Sequence, residues 1–297
     1  MVQRVTAFFA AIYLLITGFI AAPSQYYFTD WQALRALKPG SVASEYITKL
    51  RLSEKSKLII AGSNLEIKPK SDFNAACKPV GQVIELGCYI GGLPDHIYVM
   101  QIQDPKVQKV MDVTTTHELL HAAYARLTPQ KKAEVDALLE KQLSTTTDAN
   151  LTKRLEGYAT TEPGQQNNEL HSIFGSEFRN LTPELETYYK QYFNDRLMIV
   201  AWSEANNAYI TGKERDLKSK KASIESDDAK LKSLEALMNS YLNSGQTALY
   251  NSLVPSQNKQ VRDINEAIEA YNEDITAYND LIASVSNRSY SSFDQVK

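Results

Sequence analysis

Residues 113–127 read VTTTHELLHAAYARL, and within them His117, Glu118 and His121 form the pattern H-E-L-L-H. On a helix, positions i and i+4 lie on one face. Both imidazoles can therefore reach one cation, while the glutamate beside the first histidine meets a water held there. Zinc suits such a pair: it takes nitrogen ligands tetrahedrally, keeps one position for water and lowers that water's pKa to about 7. Glu118 would accept the water's proton and pass it to a leaving amine. The chain holds only four His in 297 residues, and composition alone would produce this pattern about 0.004 times. The competing reading keeps both histidines as ordinary helix residues, with His121 half-buried against Leu120 and Tyr124.

A third protein ligand is needed. The extended pattern that supplies Gly and a third His soon after the motif fails, because residues 122–127 read AAYARL. The other arrangement draws a glutamate from a downstream helix, and QQNNELHSIFGSEF offers Glu169 behind Asn168. Here the sequence resembles the gluzincins, the thermolysin-like zinc metallopeptidases, whose third ligand sits in an Asn-Glu-x-x-Ser-Asp stretch. Asn168, Glu169 and Ser172 fit it, and Ile173 stands where the family has aspartate. That departure leaves open which carboxylate supports His117 from behind; Asp112 and Glu177 are candidates. Glu156, Glu162 and Glu177 are rivals of Glu169 for the metal.

The combination of GCY, HELLHAAY, NELHSIFGSE and LETYYKQYFNDR also looks like a family of bacterial membrane-anchored metallopeptidases to which no substrate is assigned. That resemblance covers roughly residues 55–200. It implies a zinc hydrolase and says nothing of a substrate. His171, two residues beyond Glu169, either stabilises a tetrahedral oxyanion or packs locally, and Tyr158 is a second electrophile candidate. His96 reads as an ordinary strand-end residue, and Arg196 as a partner for a carboxylate near the site. In zincins a strand borders the cleft and pairs with substrate backbone. Residues 97–100 or the GCYI strand would form that edge.

Working outward, 32 Lys and Arg against 35 Asp and Glu give 32 − 35 = −3, with no basic excess to hold a phosphate backbone, which speaks against nucleic acid. Hydrophobic residues at 43% supply a core and exclude wholesale disorder. Two cysteines, Cys77 and Cys88, exclude a multi-disulfide scaffold. In an oxidising compartment the two would pair; the alternative makes one thiolate a zinc ligand or latency switch. Residues 5–22, VTAFFAAIYLLITGFIAA, carry no charge and follow Arg4. They read as a signal peptide or a membrane anchor. Phe19 and Ile20 at the −3 position of the possible cuts tilt the balance to the anchor, and either way the rest lies outside the cytoplasm.

Residues 30–37 and 41–52 suggest short helices, and KLIIAG (57–62), QVIELGCYI (82–90) and HIYVMQI (96–102) suggest strands, the last two joined by a GGLPD hairpin. Beyond Pro105 helices are expected at 129–142, 149–159, 165–178 and 183–194, the first and last opened by Thr-Pro, with a break at Glu162, Pro163 and Gly164. In the last segment Val261, Ile264, Ile268, Tyr271, Ile275, Tyr278, Ile282 and Val285 are spaced 3 and 4 by turns, a coiled-coil seam. Ile210, Leu217, Ile224, Leu231 and Met238 recur every seven residues and offer it a partner. Turn residues fall at 244–246 and at Val254 and Pro255, so an antiparallel hairpin is expected, with pairing between molecules as the alternative.

The expected class is α+β and predominantly helical. Residues 1–22 form the targeting segment, 23–202 a zincin-like metallopeptidase domain with a small mixed sheet, and 203–297 a helical coiled-coil extension. The function this implies is an extracytoplasmic zinc metallopeptidase acting on a peptide or protein, with His117, His121 and Glu169 on the metal and Glu118 as base. The partners would be its substrate, the membrane through the N-terminal segment, and a copy or another protein through the coiled coil. A surface interaction protein working through that coiled coil, with a structural or inactive metal site, is the reading from another class. An amidase acting on cell-wall peptides shares the chemistry.

Overall fold

The structure is a computed structural model and describes residues 26–77, 86–161 and 163–287. It is predominantly helical with a small mixed sheet, and the chain divides into two compact units at Ala205 and Asn206. The anchor or signal segment expected at 1–22 lies outside the described residues. Among the described residues no helix is long and apolar enough to cross a membrane.

In the first unit helix α1 (26–36) is followed by α2 (Val42–Lys49) and α3 (Glu54–Gly62). The α3 segment corrects the strand expected at KLIIAG. Ser53 precedes the run as an N-cap and accepts from the Ser56 amide at 3.3 Å, so the apolar stretch continues a helix already started and buries Ile59 and Ile60. A short apolar run has no period of its own to tell strand from helix. The strand of this region is β1 (Leu65–Lys68), next in the chain and followed by α4 (Lys70–Ala76).

Strands β2 (Gly87–Ile90) and β3 (His96–Met100) form the expected hairpin. β3 is central, antiparallel to β2 and parallel to β1. The inward side chains Ile97 and Val99 alternate along it as period two requires. A disulfide joins Cys77, at the end of α4, to Cys88 in β2, a bond of the kind that persists in oxidising compartments.

Helix α5 (Lys109–Ala125) carries the H-E-L-L-H pattern and crosses the middle of the unit. Leu119, Leu120, Ala122 and Ala123 are fully buried in one cluster with Ile60, Val99, Leu170, Ile173 and Phe174. The buried hydroxyls of Thr115 and Thr116 are satisfied within the helix by the carbonyls of Met111 and Asp112. Helices α6 (Pro129–Thr145), α7 (Ala149–Thr161), α8 (Gln166–Ser176) and α9 (Pro183–Tyr189) complete the layer around it.

Thr128 caps α6 as expected, accepting from the Lys131 amide. Thr182 holds the N-cap position of α9 without a side-chain cap bond. Its own amide donates to Gln142 Oε1 at 2.6 Å. α9 stops short of the expected residue 194 because the chain bridges there to the first helices: the Ser53 amide donates to the Tyr192 carbonyl, and Phe193 pairs with Leu52.

The second unit contains the long helix α10 (Arg196–Asn243) from Asn206 onward and α11 (Thr247–Ser284). Their pairing is antiparallel: Lys220 bonds Asp274 while Gln257 bonds Glu235. Leu217, Ile224 and Met238 are buried, as are Ile264, Tyr271, Ile275, Tyr278 and Ile282, whereas Val261 is exposed. The turn falls at 244–246. Gly245 has φ +75°, and the Gln246 and Gly245 amides donate to the Tyr241 and Leu242 carbonyls, which is the bonding of a Schellman C-cap. Pro255, expected at a turn, lies instead inside α11.

Candidate metal centre

The centre forms where α5 packs against α8. Three residues converge there: His117, His121 and Glu169 place ligand atoms within 4.8 Å of one another. Glu169 Oε1 is 3.4 Å from His121 Nε2, and its Oε2 is 3.7 Å from His117 Nε2. Ligands about 2.0–2.1 Å from a tetrahedral ion stand roughly 3.3 Å apart. The spacing of the carboxylate from each imidazole is therefore close to what a shared ion needs. Glu169 is only 5% exposed, and its Oε2 is buried without a hydrogen-bond partner. A buried carboxylate oxygen left in that state is costly, and a cation between the three groups would relieve it. Two imidazole nitrogens and one carboxylate oxygen form a donor set that fits a metal ion.

The surroundings fix each ligand. His121 Nδ1 donates to Asn168 Oδ1 at 3.0 Å, and Asn168 Nδ2 donates to Gln165 Oε1 at 3.3 Å, which sets the amide and leaves Nε2 facing Glu169. Behind His117, Nδ1 lies 3.9 Å from Glu177 Oε1. Glu177 is held in turn by Arg154, whose two terminal nitrogens reach its two oxygens at 2.7 and 2.9 Å. Of the two candidates for the support of His117, Glu177 is the one whose carboxylate faces the imidazole, at a distance longer than a hydrogen bond. Asp112 is paired with Lys49 and Lys109 at the first turn of α5. Arg154 was not singled out by its sequence context. Only the packing of α7 on α8 puts it there, and no local signal reveals that.

The electrostatics favour a cation. Burial by itself would raise the Glu169 carboxyl, but the imidazoles beside it outweigh burial and hold it at about 2; the Tyr158 hydroxyl also favours the anion. Burial pushes His121 down to about 4, so it stays neutral with a lone pair to give. Burial also acts to lower His117, yet the carboxylates of Glu169, Glu118 and Glu177 outweigh it and raise the imidazole.

Glu118 is buried, 5% exposed, and lies where β2 crosses α5. A Cβ at Gly87 would stand 2.7 Å from Glu118 Oε1 and 2.6 Å from Thr114 Cγ2. Only glycine lets the strand pass this close to the proposed base. β2, with GCYI, is an edge strand, while residues 97–100 belong to the central strand.

Of the remaining candidates, Tyr158 stands beside the ligand group and the other described ones lie away from it. His171 is fully buried with Nε2 2.9 Å from the Tyr188 hydroxyl, among the rings of Tyr124, Tyr189 and Tyr192. Of its two expected roles, these contacts are those of local packing. Tyr158 is half-buried beside Arg154 and Glu169. Arg196 donates to the carbonyls of Phe174 and Phe178 at the end of α8 and pairs with Glu186, a carboxylate outside the ligand group. His96 opens β3 and stacks on Tyr98. Glu156 is exposed, and Glu162 lies outside the described residues.

Compared with protein-family models, with curated proteins and with solved structures, the chain matches none.

Proposed function

We propose that the protein is an extracytoplasmic zinc metallopeptidase. The observation that carries this reading is the convergence of His117, His121 and Glu169 with a second buried carboxylate, Glu118, one residue from the first imidazole. The three ligands would hold the ion, and zinc bound there supplies Lewis acidity and lowers the pKa of its water to about 7. A site meant only to stabilise the fold has no use for a carboxylate in the position of Glu118. Glu118 would take the proton of the attacking water as the C–O bond forms at the carbonyl carbon and return it to the nitrogen, which then leaves as the C–N bond breaks. An extended peptide would lie along β2, the edge strand among the described residues, where Gly87 brings the strand against Glu118. Asn168 holds the imidazole of His121 in place, and the carboxylate of Glu177, itself fixed by Arg154, lies 3.9 Å from Nδ1 of His117. The disulfide agrees with a place outside the cytoplasm.

The test is metal analysis together with cleavage of a diverse peptide library, with and without chelator. Stoichiometric zinc and chelator-sensitive cleavage are expected. Glu118→Gln should keep the metal and lose cleavage, and Glu169→Ala should lose the metal. A protein that binds no zinc, or a metal-loaded Glu118→Gln that cleaves as well as the parent, would overturn the proposal.

A further inference from the structure

Helix α1 has two unlike faces. On one, Asp30 is buried and takes two bonds from Arg126, at 2.7 and 2.9 Å, while the Tyr26 ring lies 4.5 Å from the same guanidinium. Arg126 caps the end of α5 and also pairs with the buried Asp95. α1 is thus bolted to the helix that carries the metal ligands. On the other face Tyr27, Phe28 and Trp31 are 66%, 58% and 41% exposed. Phe28 and Trp31 stack with centroids 6.5 Å apart, and the Arg35 guanidinium lies 4.6 Å over Trp31. At 3.6 residues per turn these four positions fall within an arc of about 100°.

Three exposed aromatic rings in five positions form a contiguous apolar patch of the kind that marks a contact surface. The chain that leads into it indicates what covers it. Residues 5–22 are uncharged and apolar, and the run ends at Ala22, four residues before α1. We propose that the Tyr27, Phe28, Trp31 and Arg35 face of α1 lies in the headgroup layer of a lipid bilayer, with the rings at the acyl boundary and the guanidinium on a lipid phosphate. Tyr and Trp rings combine an apolar body with a polar tip, and they collect at this depth. Arg matches phosphate with its planar fork. A helix lying in the interface sinks its apolar face by about 5–10 Å, the reach of these rings. Because Asp30 and Arg126 lock α1 to α5, such docking sets the orientation of the metal-bearing helix to the membrane. None of this depends on which metal, or which reaction, the centre supports.

The chain has two tryptophans, Trp31 and Trp202, so the Trp31 signal is the emission of the full chain minus that of Trp31→Phe. The protein is reconstituted in phosphatidylcholine and phosphatidylglycerol vesicles whose acyl chains carry bromine near either the headgroup end or the methyl end. Trp31 should be quenched more strongly by the shallow bromine and shielded from acrylamide. The double variant Tyr27→Ser/Phe28→Ser, with residues 5–22 intact, should lose most of that quenching and become accessible to acrylamide. Absence of bromine quenching would overturn the proposal. So would quenching that the double variant leaves unchanged, since nearness to the tether would then explain it. Shielding from acrylamide without bromine quenching, rising with protein-to-lipid ratio, would place a second copy on this face instead.

Discussion

Asn168 Oδ1 accepts from Nδ1 of His121 at 3.0 Å, on the side of the ring away from the Nε2 that faces Glu169. The bond fixes the tautomer, and with it the direction of the lone pair. Partners of this kind are worth about 10–100-fold in metal affinity. Asn168→Ala is accordingly expected to weaken zinc binding by that factor in a competition with a calibrated chelator, with far-UV circular dichroism unchanged. Asn168→Asp, which keeps an acceptor in place, should recover most of it. Equal affinity in the parent and Asn168→Ala would remove Asn168 from the centre.

Gly87→Ala tests the approach of β2 to the proposed base. The added carbon would stand 2.6 Å from Thr114 Cγ2 and 2.7 Å from Glu118 Oε1, so strand or side chain must shift. Displacements near 1 Å at a reacting group cost up to about 100-fold in rate. We expect peptide cleavage to fall by tens of fold while bound zinc stays stoichiometric. Undiminished cleavage would mean that Glu118 has room to spare and that the strand does not border the reaction.

Much of this centre was legible because helix geometry is local. His117 and His121 four apart on one helix need no tertiary information to share a cation, and the Thr128, Pro129 start of α6 declares itself in the same way. Glu169 was reached through the resemblance of its Asn-Glu-x-x-Ser context, since nothing in spacing alone prefers it to Glu177. Choosing between Asp112 and Glu177 behind His117 required three dimensions: the first is neutralised by Lys49 and Lys109, the second held by Arg154 from another helix. The errors have the same origin. KLIIAG carries strand-forming residues, yet Ser53 upstream had already committed it to a helix. Pro255 marks a turn in a free chain, but Gly245 supplied the turn, and the packed helix tolerates the proline.

Arg126 pairs with two buried carboxylates, Asp30 and Asp95. Its side chain is 9% exposed and those of Asp30 and Asp95 are 5% and 1% exposed. Arg126→Met would leave two buried carboxylates facing each other, at a cost of roughly 3–5 kcal/mol. The exposed pair of Arg51 with Asp195 should contribute no more than about 1 kcal/mol, so Arg51→Met serves as the contrast. Urea titration followed by tryptophan emission reads both. Equal, small losses would show that the Arg126 cluster is solvated and that α1 is held by packing alone.

His171 gives the chelator-treated protein an acid limit. Burial first, then the neighbouring His121, drops its imidazole from the ordinary value near 6.5 to about 3. The folded state therefore binds this proton less readily than the unfolded chain, and stability rises with pH in the interval between the two values. The contribution is complete above about 6.5 and is lost progressively as pH falls toward 3, with a slope near 1.4 kcal/mol per pH unit for one proton. His121, lowered to about 4, acts in the same direction, and His117, which is raised, acts in the opposite one. In urea titrations between pH 6.5 and 4.5, with metal removed throughout, His171→Phe is expected to be less stable than the parent at pH 7 and to lose stability less steeply on acidification. An unchanged slope would mean that the ring is already charged, or solvated, within its tyrosine cage.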